Sequence, residues 1–112
     1  MTTARVDVDP DGGGVRIAIA GEVDLANAAA VEEQIVAAIT NEVTGVSVDL
    51  REVAYIDSAG LRIFFALGPR LAALQITLEL VVPVGSPSRR LLEVSGLPSL
   101  VTLRPPVDGA AR

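Results

Sequence analysis

The chain has 112 residues, half of them apolar but only 3% aromatic, and a formal net charge of −5, so it is long enough for one domain with an aliphatic core. It has no Cys, His, Lys or Trp, which excludes disulfides and thiolate metal sites, the usual general base, and both phosphate-binding and Schiff-base lysines. Its basic residues are scattered arginines with one adjacent pair, Arg89-Arg90, so the basic patch that nucleic-acid binding requires is missing.

Ala4 to Asp9 alternates, with Val6 and Val8 on one face, and Val15 to Ala20 alternates again. The intervening Pro10-Asp11-Gly12-Gly13-Gly14 is a turn by composition, so the pair predicts an antiparallel hairpin. The glycines have neither G-x-G-x-x-G spacing nor a following helix, which speaks against a phosphate cradle. After Gly21-Glu22-Val23-Asp24, Asn27 is a candidate N-cap. Ala28, Val31, Ile35 and Ala38 or Ile39 then recur at helical spacing, up to an end near Thr40-Asn41. Val46 to Leu50 predicts a strand, followed by an apolar loop, Val53-Ala54-Tyr55-Ile56.

Asp57-Ser58-Ala59-Gly60 then opens a helix that is apolar almost all round. Leu61, Phe64, Phe65, Gly68 and Leu71 form one stripe, and Ile63, Leu67 and Leu74 another. Pro69 predicts a break, with a short second piece ending near Ala73. Ile76 to Val82 reads as an interior strand. Ser86-Pro87 reads as an N-cap followed by proline at the first helical position, before a short helix burying Leu91, Leu92 and Val94. Gly96 suits the left-handed residue that closes it, with Leu97 as its apolar contact. Leu100 to Leu103 is a last strand, and Pro105 onward is a tail. The order β-β-α-β-α-β-α-β predicts an α/β fold with a mixed, mostly parallel sheet. The chain reads as one domain over 1–112, with a core from about 5 to 104 and a tail over 105–112. No secretory signal pattern opens it. No apolar run approaches the roughly 18 residues of a membrane span. The expectation is a cytoplasmic domain without membrane insertion.

Two groups of residues could carry chemistry. Ser58 lies at a predicted helix N-terminus, where backbone N–H groups and the helix dipole favour negative charge. An Asp-Ser at such a place commonly only caps the helix. Gly60, however, is a poor helix former in the first turn, and a glycine there suggests close approach by another backbone. With no His or Lys to serve as base, Ser58 reads as an acceptor of modification and not as a nucleophile. Asp24, Asp49 and Asp57 could gather at one sheet edge and hold Mg²⁺. Turn and cap roles account for them as well, and neither a metal nor a cofactor is expected.

Gly21-Glu22-Val23-Asp24, Val48-Asp49-Leu50, Asp57-Ser58-Ala59-Gly60-Leu61 and Arg90-Leu91-Leu92-Glu93-Val94-Ser95-Gly96-Leu97 resemble the landmarks of STAS domains. More narrowly, they resemble those of bacterial anti-sigma factor antagonists, over about Val6 to Leu103. The resemblance implies the STAS fold and a non-enzymatic antagonist. It would bind an anti-sigma factor with serine kinase activity and so free a sigma factor. Phosphorylation of Ser58 would switch it off, and a PP2C-type phosphatase would restore it. Asp24 matches the family's acidic residue near the phosphorylation site. The implied partner-binding set is Asp24, Asp57, Ser58, Ala59, Gly60, Leu61 and Arg62, on a monomer or weak dimer. Two departures concern the helix end: Ala72-Ala73-Leu74-Gln75 stands where relatives often carry Gly-Gly, and Gly68-Pro69 is atypical. The alternatives are an accessory subunit of a lipid or anion transporter, against which Gly60 argues, and a stressosome-like scaffold.

Overall fold

The computed structural model describes residues 3–97 and 101–106. Among these, the elements run β1 (Ala4–Asp11), β2 (Gly14–Val23), α1 (Ala28–Ala38), β3 (Gly45–Ile56), α2 (Ser58–Ala73), β4 (Thr77–Val81), α3 (Pro87–Val94) and β5 (Thr102–Arg104). The predicted order and the mixed sheet are both observed. The strands lie in sequence order, β1-β2-β3-β4-β5. β1 pairs antiparallel with β2, and the remaining neighbours are parallel.

Every parallel crossover steps in the same direction, so right-handed connections place α1, α2 and α3 on one face of the sheet. Burial agrees with that geometry. Val15, Ile17 and Ile19, then Val46, Val48 and Leu50, then Leu78, Leu80 and Val82 are buried beneath the helices. The alternate positions Arg16, Ala18, Ser47 and Glu79 face the uncovered side. Phe64, Leu67, Ile35, Leu92 and Leu97 fill the core from the other elements.

Several sequence expectations change in detail. The hairpin turn is tighter than Pro10–Gly14, because Asp11 already pairs with Gly14. Pro10 is accommodated because β1 is an edge strand, where a missing N–H need not break a ladder. The expected loop over 53–56 is the second half of β3, paired with a β2 that runs on to Val23. Register shifts between Ala18 and Ala20 and between Gly21 and Glu22 give β3 its extra residues. Gly21, at φ +105, leaves no room for a side chain: a Cβ there would meet the carbonyl oxygen of Thr3 at 2.4 Å.

Pro69 lies inside one unbroken α2, so the expected break does not occur. Proline removes one helical donor, but Gly68 and Leu71 on either side of it are buried, and that packing holds the helix together. The helix closes further on, where Gln75 takes φ 61. Its amide donates to the Ala72 carbonyl and the Ile76 amide to that of Leu71, a Schellman closure with glutamine in the left-handed position. The second α2 stripe ends early, since Leu74 is exposed, and so is Val94 of α3.

The expected capping of α3 is observed: Ser86 Oγ accepts from the Arg89 amide and Pro87 opens the helix. Gly96 has φ +90 and Leu97 is fully buried. The last strand lies at Thr102–Arg104, later than predicted; Leu100 and the tail from Val107 lie outside the described residues.

Candidate phosphoacceptor site

The site forms where β2 and β3 both end. Their last residues are paired, Val23 with Ile56, so the two following loops leave the sheet side by side. The Asp57 amide donates to the Val23 carbonyl at 3.2 Å. Asp57 then serves as N-cap of α2 in an extended conformation. Its Oδ1 accepts from the Ala59 amide at 2.9 Å and the Gly60 amide at 3.1 Å. Its Oδ2 accepts from the Leu25 amide at 3.3 Å, in the loop after β2. One carboxylate therefore caps a helix and joins two loops.

The neighbouring loop is fastened from within. Asp24 Oδ1 accepts from the Ala26 amide at 2.9 Å. Asn27 Oδ1 accepts from the Asp24 amide at 3.0 Å, and its Nδ2 donates to the Glu22 carbonyl at 2.8 Å. Asn27 does precede α1, but its side chain makes no capping bond to that helix. It spends both polar groups on the loop that carries Asp24, which corrects its reading as an N-cap.

On this frame Ser58 is exposed, as the first residue of α2, and its hydroxyl makes no hydrogen bond among the described residues. Arg62, one turn on, is also exposed; Asp24, Asp57 and Ala59 are half-buried; Gly60 and Leu61 are buried. The structure thus brings Ser58 and Arg62 to the outside beside the two half-buried loop aspartates, and turns Gly60 and Leu61 inward. A Cβ at Gly60 would meet Ile56 Cγ1 at 2.6 Å and Val23 Cγ1 at 3.0 Å. Side chains of the strand ends, and not a second backbone, require glycine here. Its absent side chain lets α2 sit directly on the ends of β2 and β3.

Asp49 does not join this group. It is buried on the uncovered sheet face, its Oδ2 accepting from Arg16 Nη2 and Arg51 Nη2, each at 2.8 Å, and its Oδ1 from the Arg51 amide at 3.0 Å. Burial alone would raise its pKa, but the hydrogen bonds from the Arg51 side chain and amide and from Arg16 outweigh it and hold the carboxyl below its ordinary value. Among the described residues no three acidic groups are placed to hold a metal ion. No helix among them is long and apolar enough to cross a membrane.

Residue-by-residue reading missed Leu25. Its side chain is 81% exposed, directly after Asp24. The available signal was a lone leucine in an otherwise small and polar strand-to-helix loop, Asp24-Leu25-Ala26-Asn27.

The chain is 36% identical, over 72% of its own length, to the anti-sigma-F factor antagonist RsfB of Mycobacterium tuberculosis, and the match spans 65% of that relative. An anti-sigma factor antagonist from Mycobacterium paratuberculosis superposes with a TM-score of 0.84 at 27% identity, covering 97% of this chain and 92% of the other. The phosphorylated form of the Bacillus cell fate determinant SpoIIAA shares the fold, with a TM-score of 0.70 at 21% identity and 96% of each chain covered. The family model described as "Mlab, STAS domain" matches residues 6–102, and on that span the chain belongs to the STAS domain family.

Proposed function

We propose that this chain is an anti-sigma factor antagonist. In this reading it binds an anti-sigma factor with serine kinase activity, releases a sigma factor, and is switched off by phosphorylation of Ser58. The observation that carries the reading is the placement of Ser58: an exposed hydroxyl without a hydrogen bond among the described residues, on a frame of two hydrogen-bonded loops, with no His or Lys in the chain to activate it. The names of the relatives support the class of function. The protein acts as substrate and binding partner, not as enzyme, in the cytoplasm and without nucleic acid. A PP2C-type phosphatase resets it, and the antagonist is a monomer or weak dimer. Asp24, Asp57, Ser58, Ala59 and Arg62 form the contact surface, with Gly60 and Leu61 seating the helix behind them.

Phosphorylation adds about −1.5 to −2 charges at Ser58. The amides of Ala59 and Gly60 already serve Asp57, so the phosphate enters beside a carboxylate that holds two of the nearest donors. In a closed interface it meets both repulsion and desolvation. A penalty on the order of 2 to 4 kcal/mol weakens binding roughly 30- to 1000-fold, enough for a switch without refolding.

The test is capture on the wild-type protein, followed by phosphorylation of the purified pair. An ATPase-type anti-sigma factor is expected, with Ser58→Ala abolishing modification and Ser58→Asp weakening binding. Equal binding by Ser58→Asp would sink the switch. Recovery of a transporter ATPase instead would overturn this reading in favour of an accessory subunit of a transporter.

A further inference from the structure

We propose that Leu25 is the apolar anchor by which the anti-sigma factor kinase selects this chain, an inference that rests on the reading of Ser58 above. A single exposed leucine is ordinary on a protein surface. Leu25 differs in how it is held. At 81% it is the most exposed large apolar side chain among the described residues, yet its backbone is tied on both sides. Its amide donates to Asp57 Oδ2 at 3.3 Å. The next amide, of Ala26, donates to Asp24 Oδ1 at 2.9 Å, and the Asn27 side chain closes the loop on Asp24 and Glu22. The backbone is ordered before any partner arrives, so docking here costs mainly side-chain entropy.

Position commits the occupant. The carboxylate holding the Leu25 amide belongs to Asp57, the residue directly before Ser58. A kinase whose active site reaches Ser58 Oγ covers on the order of 800 Å² around it, and the Leu25 loop falls inside that footprint. The kinase must therefore offer an apolar recess to Leu25 or leave a leucine stranded against polar surface. Leu25 takes no part in phosphoryl transfer. It acts on which partner docks, and not on the rate once docked.

The test uses every serine-kinase anti-sigma factor of the host, each purified, against the whole chain carrying Leu25, Leu25→Ser or Leu25→Met. Affinity, KM and kcat for Ser58 phosphorylation, and melting temperature are measured together. Leu25→Ser is expected to raise Kd and KM about tenfold or more, the loss expected from one buried leucine. Its kcat and melting temperature should stay at wild-type values, and Leu25→Met should recover most of the affinity. Binding by Leu25→Ser within about twofold of wild type, well under the tenfold expected, overturns the anchor while leaving the Ser58 reading intact. A lowered melting temperature, or no rescue by Leu25→Met, makes the role structural and overturns it too. If no kinase binds the wild-type chain, the Ser58 reading falls first and the anchor with it.

Discussion

Asp49 lies within β3 and Asp57 directly follows it, and both carboxylates are engaged, but by different kinds of partner. Asp49 accepts mainly from two guanidiniums that reach over the open sheet face, and from the Arg51 amide. Among the described residues Asp57 accepts from backbone amides alone, those of Ala59, Gly60 and Leu25. The first arrangement neutralises a buried charge with flexible side chains and holds strands together. The second fixes the path of two loops and leaves a serine in the open. A carboxylate bonded to amides of two loops fixes the path of the chain, whereas one bonded mainly to guanidiniums positions mostly side chains. For that reason the Asp57 end is suited to presenting a site, and the Asp49 face to supporting one.

The largest expected effect sharpens the contrast from the Asp57 end. Gly60→Val drives a branched side chain into Ile56 and Val23, which already lie 2.6 and 3.0 Å from a first carbon. We expect a loss of about 3 kcal/mol in chemical denaturation, from overpacking. Because the displaced helix carries Ser58 with it, kinase binding should fall beyond what the fraction unfolded explains.

An intermediate effect is expected from Asp49→Asn, of about 1 kcal/mol. The guanidiniums of Arg16 and Arg51 are 47% and 42% exposed and regain water when the charge goes. Phosphorylation kinetics at Ser58 should not change; if they do, the two regions are coupled and the contrast fails. The same pair of proteins gives a pH test. Asp49 has a depressed pKa in the folded state, so its stabilising contribution is complete above its unfolded value and disappears as pH falls below about 4. Melting curves should show wild type losing stability faster than Asp49→Asn through that window.

The smallest effect lies at neither region. Gln75 holds a left-handed conformation, at φ 61, that costs an ordinary residue about 1 kcal/mol. Gln75→Gly should gain about 0.5 kcal/mol after the greater entropy of unfolded glycine is counted, with binding untouched. A gain at Gln75 that also altered binding would show the far end of α2 communicating with Ser58.

Much was legible in the residues alone. Alternation at Val6–Val8 and Val15–Ile19, helical spacing at Val31–Ile35, and the Ser86-Pro87 and Gly96 signals are local rules. Each acts through backbone geometry within a few residues, and each gave its element. The Asp57-Ser58 helix start was legible for the same reason. The missed features depend on partners distant in sequence. β3 extends past Leu50 because β2 offers it a partner as far as Val23. Pro69 stays helical within a buried stretch of α2.

What the sequence by itself determined is the order of elements, the caps, and a serine with no base to activate it, since composition and near-neighbour chemistry decide those. Only the tertiary structure separated Asp49 from Asp57, because strand pairing brings the Arg16 guanidinium to the first and the Leu25 amide to the second. It also showed Gly60 pressed by Ile56 and Val23, and Leu25 held beside Ser58 through Asp57. The contacts of Gly60 with Val23 and of Leu25 with Asp57 join residues more than thirty positions apart, and packing alone brings them within van der Waals or hydrogen-bonding distance.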